Sequence, residues 1–443
     1  MIRRLGWQLV VGRREPTWRA LSAEIARVAA LAPSDLATHT AAALRAHLDW
    51  AAHTIPYHRA RVRPGDALEA FPILDRVTLQ READALRDPT RPVAALHVET
   101  SGGSTGEPVR LWNDADYAAW TFATEVHVLA TWGLPPWCRR AYLWGDDREH
   151  KNIGWKERVA RRLHRTLVLN AFEMDDAKMA SFADRLDAFR PELVQGYATA
   201  LDLFASYLLR TKRTPVRPVA VRSSAEALSS EARARVEAAF GAPVRDFYGS
   251  RESSSLAAQC AHGGFHVLAH GRLLELVDDA GHPVPAGVPG RVLVTDWTNR
   301  AFGLVRYANG DVASWSSDPA PCPCGSAYPR LARVHGRTSD FLTTTAGERI
   351  HGEWFTHLFY GVVGVERFQV HQKAIDRVDV LTTGPAGPSV VEPLLAKMRA
   401  RLGPATTLAW RSVESIPLTR SGKHRFTISD VPYLGGPTAA AAP

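Results

Sequence analysis

Between residues 141 and 269 the sequence alternates short apolar runs with longer amphipathic stretches, and this constrains the fold more than any other feature. The runs at 141–145, 166–169, 193–195, 218–222, 244–247 and 265–269 have the length of buried strands. The stretches at 176–189, 199–211 and 229–240 carry apolar residues at helical spacing and separate several of those runs. A strand, a helix and a second strand in succession favour a crossover connection, hence parallel pairing with helices on the sheet faces. The expected fold class is α/β with mostly parallel sheets.

The flanks fit that frame. Residues 17–55 and 76–87 have the Leu and Ala spacing of helices, with Ser34 or Thr38 as the expected N-cap. Residues 93–112 read as strand, Gly-rich turn, strand, and 113–132 as a helix capped by Asn113 or Asp114. From about 272 short strands alternate with Gly/Pro turns, which predicts a β-rich subdomain. Past Gly336-Arg337 the pattern becomes a separate α+β unit. With 443 residues, the chain is long enough for two or three domains. The expected division is a large domain over 1–336, a hinge over 337–340, a small domain over 341–434 and a disordered tail over 435–443.

Composition narrows the function classes. No apolar run reaches the roughly 18 residues a membrane span needs, and the N-terminus MIRRLGWQLVVGRREP lacks a small-residue cleavage site. A soluble cytoplasmic enzyme that binds no membrane is the expectation. The net charge of +8 comes mostly from Arg, because only seven of the 54 Lys and Arg residues are Lys. The Arg residues are spread out and interleaved with acids, unlike a nucleic-acid-binding stripe. The excess reflects either Arg-rich codon usage or attraction for a polyanionic substrate. The densest basic segment, WKERVARRLHR (155–165), reads as a solvated helix face. Four cysteines in a cytosolic chain of this size do not predict a disulfide framework.

Five motifs carry the chemistry. Thr100-Ser101-Gly102-Gly103-Ser104-Thr105-Gly106-Glu107-Pro108 concentrates hydroxyls and glycines in a loop whose N–H groups can approach a polyphosphate, and it is not a Walker A loop. Asp246-Phe247-Tyr248-Gly249-Ser250-Arg251-Glu252 joins an aromatic ring able to stack on a purine to a carboxylate able to hold Mg²⁺. Val305-Arg306-Tyr307-Ala308-Asn309-Gly310-Asp311 offers a carboxylate to ribose hydroxyls, or is simply an Asn-Gly hairpin turn. Gly336-Arg337-Thr338-Ser339-Asp340 and Pro417-Leu418-Thr419-Arg420-Ser421-Gly422-Lys423 complete the series. Each alone has an ordinary structural reading.

Their order is what discriminates. In that sequence they resemble the adenylate-forming (ANL) superfamily, and SGGSTGEP, FYGSRE and CPCG resemble its phenylacetate–CoA ligase group and that group's capsule-associated relatives. The resemblance implies that Ser101, Gly102, Gly103, Ser104, Thr105 and Gly106 close over the ATP phosphates. Many members carry a Lys just after the loop's Pro; here Val109 and Arg110 follow, so that role is absent or falls to Arg110. Ser224, Ala225, Glu226 and Ala227 resemble the adenine-contacting turn, and Asp246, Phe247, Tyr248 and Gly249 would flank the purine. The resemblance further gives Glu252 to Mg²⁺, Asp311 to the ribose, Arg337 to ribose or phosphate, and Lys423 to the α-phosphate and carboxylate. The hinge aspartate is expected two residues after the Arg; Ser339 stands there and Asp340 follows. Candidate acyl-pocket residues are Trp144, Tyr197 and Ala198, with Trp120 further out, which hints at an aromatic acid.

The implied reaction is ATP-dependent activation of a small carboxylic acid to acyl-AMP with release of pyrophosphate. Transfer to coenzyme A would follow. The alternatives are transfer to an amine, a sugar or a carrier-protein thiol, a nucleotidyltransferase that leaves AMP on its target, or a nucleotide-binding scaffold. Intact Glu252, Asp311 and Lys423 argue against the scaffold. Two thiols on one turn (Cys322, Cys324) and a Cys260/His266 pair suit a closed tetrahedral Zn²⁺ site, with His262 as substitute for His266. The resemblance supports this, since some members place a zinc here. The alternative is four unrelated residues, the cysteines acting as small hydrophobes.

Overall fold

The computed structural model describes residues 17–101, 109–144, 166–171, 174–337, 341–359, 362–417 and 424–431. The loop residues 102–106 with the side chain of Ser101, the basic segment 155–165, Ser339, Asp340, Lys423 and the tail 435–443 lie outside these residues. The chain divides into two compact units. The first comprises Met1–Glu275, Leu293–Asn309 and Trp315–Val334; the second comprises Leu276–Val292, Gly310–Ser314 and His335–Pro443.

The first unit opens with α1 (Trp18–Ala29), α2 (Pro33–Thr54), α3 (Pro56–Arg59) and α4 (Arg76–Arg81). Neither Ser34 nor Thr38 caps α2. The helix starts at Pro33, whose missing N–H is harmless in a first turn, and Ala32 is the N-cap. Thr38 donates its hydroxyl to the Ser34 carbonyl at 3.0 Å inside the helix. Strands β1 (His97–Ser101) and β2 (Val109–Asn113) pair antiparallel with Ser101 opposite Val109. Helix α5 (Ala115–Thr131) is capped by Asp114, whose carboxylate accepts the Tyr117 N–H at 2.8 Å.

Next come β3 (Arg140–Leu143), β4 (Thr166–Leu169), α6 (Asp176–Phe189), β5 (Leu193–Tyr197), α7 (Ala198–Arg210), β6 (Ala220–Ser224), α8 (Ser230–Phe240) and β7 (Val244–Ser250). The five strands lie in the order β4-β3-β5-β6-β7, all parallel, as the alternation requires. They belong to an eleven-stranded sheet. Val194, Val221 and Val244 pack against Phe182, Phe204 and Phe240 of the three helices, each phenylalanine at most 1% exposed. Burying each such ring contributes on the order of 2–3 kcal/mol. A second cluster sets Val128 and Leu129 of α5, with Trp132, against Leu193, Ala220 and Phe247.

After β7 the sheet turns antiparallel through β8 (Ser254–Gln259) and β9 (Phe265–Val267). The sequence does not announce β8, because Ser, Ala and Gln have little strand character and its neighbours impose the conformation. Strands β10 (Arg272–Val277), β11 (Gly290–Asp296), β12 (Tyr307–Trp315) and β13 (Arg330–Arg337) follow. Arg330 and Leu331 of β13 pair with His266 and Phe265 of β9. The Asn309-Gly310 step is not a hairpin tip; β12 runs through it with Gly310 at φ 84°.

The C-terminal part of the second unit contains β14 (Phe341–Thr343), β15 (Arg349–His351), α9 (Gly352–Phe359), β16 (Arg367–Ala374), β17 (Arg377–Thr383), α10 (Pro388–Leu402), β18 (Thr407–Ser412) and β19 (Thr427–Ser429). Its sheet has the order β18-β17-β16-β19. Phe355, Val391, Leu395 and Met398 of the helices bury Phe368, Val370, Val378 and Val380 of the strands. Among the described residues no helix is long and apolar enough to cross a membrane.

Candidate active site and metal centre

The carboxyl ends of parallel strands gather most of the expected contacts. In α/β sheets that edge is where departing loops leave a crevice for ligands. Tyr197 stands opposite Ser224, and Ser224 opposite Phe247. Trp144 follows β3, its ring centroid 4.2 Å from that of Tyr197, and Ala198 is buried at the start of α7. The three acyl-pocket candidates therefore adjoin. Trp120 lies apart from them in its contacts, stacked 6.5 Å from the buried His270.

The turn after β6 is held in an unusual conformation. Ala225 has φ 67°, a left-handed value that costs a side chain-bearing residue roughly 1–2 kcal/mol. The Glu226 carboxylate accepts the Thr199 N–H at 2.9 Å and the Thr199 hydroxyl at 2.7 Å, fastening the turn to the first turn of α7. Beside it, the Arg222 guanidinium lies 3.5 Å above the Phe247 ring centroid. Arg222 Nη1 is 2.9 Å from each Glu125 oxygen, and Arg140 Nη1 is 2.9 Å from one of them. Burial pushes the Glu125 carboxyl up, but Arg222 and Arg140 outweigh it and hold the group below its ordinary range. Burial raises Asp246 to about 6. Gly249 is required as glycine, since a Cβ there would stand 2.5 Å from the Ser254 carbonyl oxygen.

A closed set of contacts links the purine motif to distant segments. Asn309 Nδ2 donates to the Tyr248 hydroxyl at 2.7 Å. Two residues before Asn309, the Tyr307 segment is bridged to Leu74, with Leu74 N–H on the Arg306 carbonyl at 3.1 Å and Ala308 N–H on the Leu74 carbonyl at 2.9 Å. Two residues after Leu74, Arg76 Nη1 lies 3.4 Å from Glu252 Oε1. In the second unit, Arg337 Nε lies 3.8 Å from Asp311 Oδ1, which brings the two expected ribose-side groups together. Arg110 forms an exposed pair with Asp84 at 3.0 Å.

Cys260, His266, Cys322 and Cys324 converge, their ligand atoms all within 4.8 Å of one another; His262 is not part of this group. Cys260 Sγ and Cys322 Sγ are 3.6 Å apart, and Cys324 Sγ is 3.2 Å from His266 Nε2. Tetrahedral zinc with 2.3 Å Zn–S bonds sets sulfurs about 3.8 Å apart. The donor set therefore fits zinc. A Cβ at Gly264 would lie 2.7 Å from Cys322 Sγ and 2.8 Å from His266 Nε2, so only glycine leaves the cradle open.

Known proteins agree with this architecture. The CapK C-terminal domain family matches residues 342–430. Protein CapK of Staphylococcus aureus is 24% identical over 339 residues, covering 75% of this chain and 74% of its own. The phenylacetate-coenzyme A ligase of Thermus thermophilus is 31% identical over 123 residues, 27% of each chain. Among solved structures, 2-hydroxyisobutyryl-CoA ligase in its postadenylation state, bound to R3-HIB-AMP, has a TM-score of 0.69 at 20% identity, covering 91% of both chains. These likenesses are to the CapK-like group of the adenylate-forming (ANL) superfamily, which the chain resembles.

Several supporting groups were not legible from motifs. Glu125, Arg140 and Arg222 sit in unremarkable sequence, and only the register of β6 beside β7 shows that Arg222 meets Phe247. The Tyr328 carbonyl, 3.2 Å from His266 Nδ1, is likewise invisible, because a main-chain oxygen has no sequence signature.

Proposed function

We propose that the chain is an AMP-forming carboxylate ligase that converts a small carboxylic acid to its acyl-AMP and passes the acyl group to the thiol of coenzyme A. The observation that carries this reading is the 2.7 Å hydrogen bond between Asn309 and Tyr248. It joins the Tyr-Gly-x-x-Glu and Gly-Asp motifs, which ordinary structural roles for each would leave unrelated.

Attack of a carboxylate on the α-phosphorus brings negative charge against negative charge. The site must therefore position the reactants and neutralise charge that develops at phosphorus. Ser224–Glu226 and Asp246–Gly249 hold the purine, and Asp311 with Arg337 holds the ribose. Glu252, with a side chain 9% exposed, supplies one carboxylate to Mg²⁺, which is commonly bound by one or two carboxylates plus substrate phosphates. When bound, Mg²⁺ neutralises phosphate charge. Ser101 to Gly106 cover the phosphates, and Lys423 stabilises the developing charge. Trp144 and Tyr197, their rings 4.2 Å apart and tilted 32° to one another, would line the acyl pocket and suit an aromatic acid. Zinc at Cys260, His266, Cys322 and Cys324 is structural, because four protein donors leave no open position.

We assign the small domain to 341–434 and the hinge to 337–340, with Ser339 or Asp340 as pivot. The cytoplasm, where ATP and coenzyme A are available, is the place of action. Pyrophosphate exchange across a panel of aromatic, aliphatic and amino acids tests the first step. Product mass then separates a thioester from an amide, an ester or an adenylylated target. Exchange with no acid in the panel, together with an AMP-bearing product, would replace the ligase reading with nucleotidyl transfer.

A further inference from the structure

We infer that Arg76, from the first turn of α4, is a phosphate-binding residue of this site, contacting the β- and γ-phosphates of ATP and then the departing pyrophosphate. The inference rests on the nucleotide reading above and extends it to a segment outside the five motifs.

Arg76 lies outside the motifs, and the contacts bring it against Glu252. Leu74 is bridged to Tyr307, Asn309 bonds Tyr248, and Glu252 meets Arg76, so the contacts close on themselves within one unit. The main-chain bonds at Leu74 fix the Arg76 backbone two residues from the strand that carries Asn309. A carboxylate that takes Mg²⁺ on phosphates brings those phosphates within reach of any cation already resting on it. Arg76 is that cation, with a planar fork of five donors suited to phosphate oxygens.

The existing pair is not built for strength. At 3.4 Å it is longer than the 2.7–2.9 Å usual for a charge-assisted bond, and the Arg76 side chain is 31% exposed. A cation in a helix's first turn also opposes the helix dipole. The loop's own candidate, Arg110, is engaged with Asp84 on an exposed pair. In the chemical step an oxygen of the acid forms a bond to the α-phosphorus, and the bond from that phosphorus to the bridging oxygen breaks. Pyrophosphate leaves with the electron pair, and Arg76 neutralises part of the charge it gains.

The test compares nucleotides that differ only in the groups Arg76 would touch. ATP and AMP are titrated by calorimetry into the full-length wild type, Arg76→Gln and Arg76→Lys, with EDTA and separately with Mg²⁺. Arg76→Gln should weaken ATP binding roughly tenfold or more, as for loss of one charged contact, while AMP binding stays within about twofold. Arg76→Lys should recover part of the ATP affinity. Equal losses for ATP and AMP would make Arg76 a structural residue, and unchanged ATP binding would remove it from the site. A wild-type protein that binds neither nucleotide would sink the nucleotide reading first, and this inference with it.

Discussion

His266 Nδ1 lies 3.2 Å from the Tyr328 carbonyl oxygen, and this one bond decides the state of the ring. A carbonyl only accepts, so Nδ1 carries the proton and Nε2 presents its lone pair toward Cys324. Main-chain support of this kind orients metal-bound imidazoles and raises their basicity. Purified protein never exposed to chelator should therefore carry about one equivalent of zinc. Cys322→Ser should lower the melting midpoint by on the order of 5 °C and release the metal, with the remaining folded protein still catalysing exchange. Less than half an equivalent of zinc in the wild type would count heavily against the site.

Glu252 is the carboxylate assigned to Mg²⁺. Acid-dependent ATP–pyrophosphate exchange should require Mg²⁺, and Glu252→Gln should lose at least about nine-tenths of it, in line with losing a charged contact of 1.5–3 kcal/mol. Exchange that persists undiminished in this variant would end the metal role of Glu252.

Asp246 predicts a pH-dependent trade between stability and binding. Burial raises its pKa from 3.8 to about 6. Between those values the folded chain holds a proton that the unfolded chain has released. Its favourable effect is therefore fully present below the unfolded value and is lost as pH rises through about 6. Asp246→Asn removes the buried charge, so at pH 7.5 it should stabilise the protein by roughly 1–3 kcal/mol, with the gain shrinking toward pH 4. The same variant should bind ATP more weakly. A stability gain equal at both pH values would show that the charge is not its origin.

Local patterning and tertiary context divide what could be read in advance. The parallel block was legible because short apolar pieces, such as Leu193-Val194 of β5, Ala220-Val221 of β6 and Val244 of β7, recur between stretches of helical spacing. Strand β8 was not, because its Ser- and Ala-rich stretch takes its conformation from β7 and β9. The start of α2 was misplaced by preferring a hydroxyl cap to the proline beside it. In the site, side chains with distinctive chemistry at fixed spacing could be named, as Cys260, Cys322 and Cys324 were. Arg76 and Arg222 could not, since an arginine among 54 Lys and Arg residues carries no signal until a partner such as Glu252 or Phe247 is beside it.

Lys423 gives the sharpest test of the two-step scheme. It is one of seven lysines and follows Ser421-Gly422 in a Thr-Arg-Ser-Gly-Lys run near the C-terminus. A lysine on a small domain joined through a short polar hinge could be delivered for adenylation and withdrawn for acyl transfer. Its charge would then matter only while negative charge builds at the α-phosphorus, which affects rate far more than substrate binding. Lys423→Ala should cut acyl-AMP formation by at least about a hundredfold, the size of losing one preorganised electrostatic contact. ATP affinity should change far less. Supplied with synthetic acyl-AMP and the correct acceptor, the same variant should transfer the acyl group at close to the wild-type rate. Stopped-flow or quenched assays of the two half-reactions separate these outcomes. Equal loss in both would mean that Lys423 serves a single fixed arrangement or the fold itself, and the moving-domain scheme would have to be abandoned.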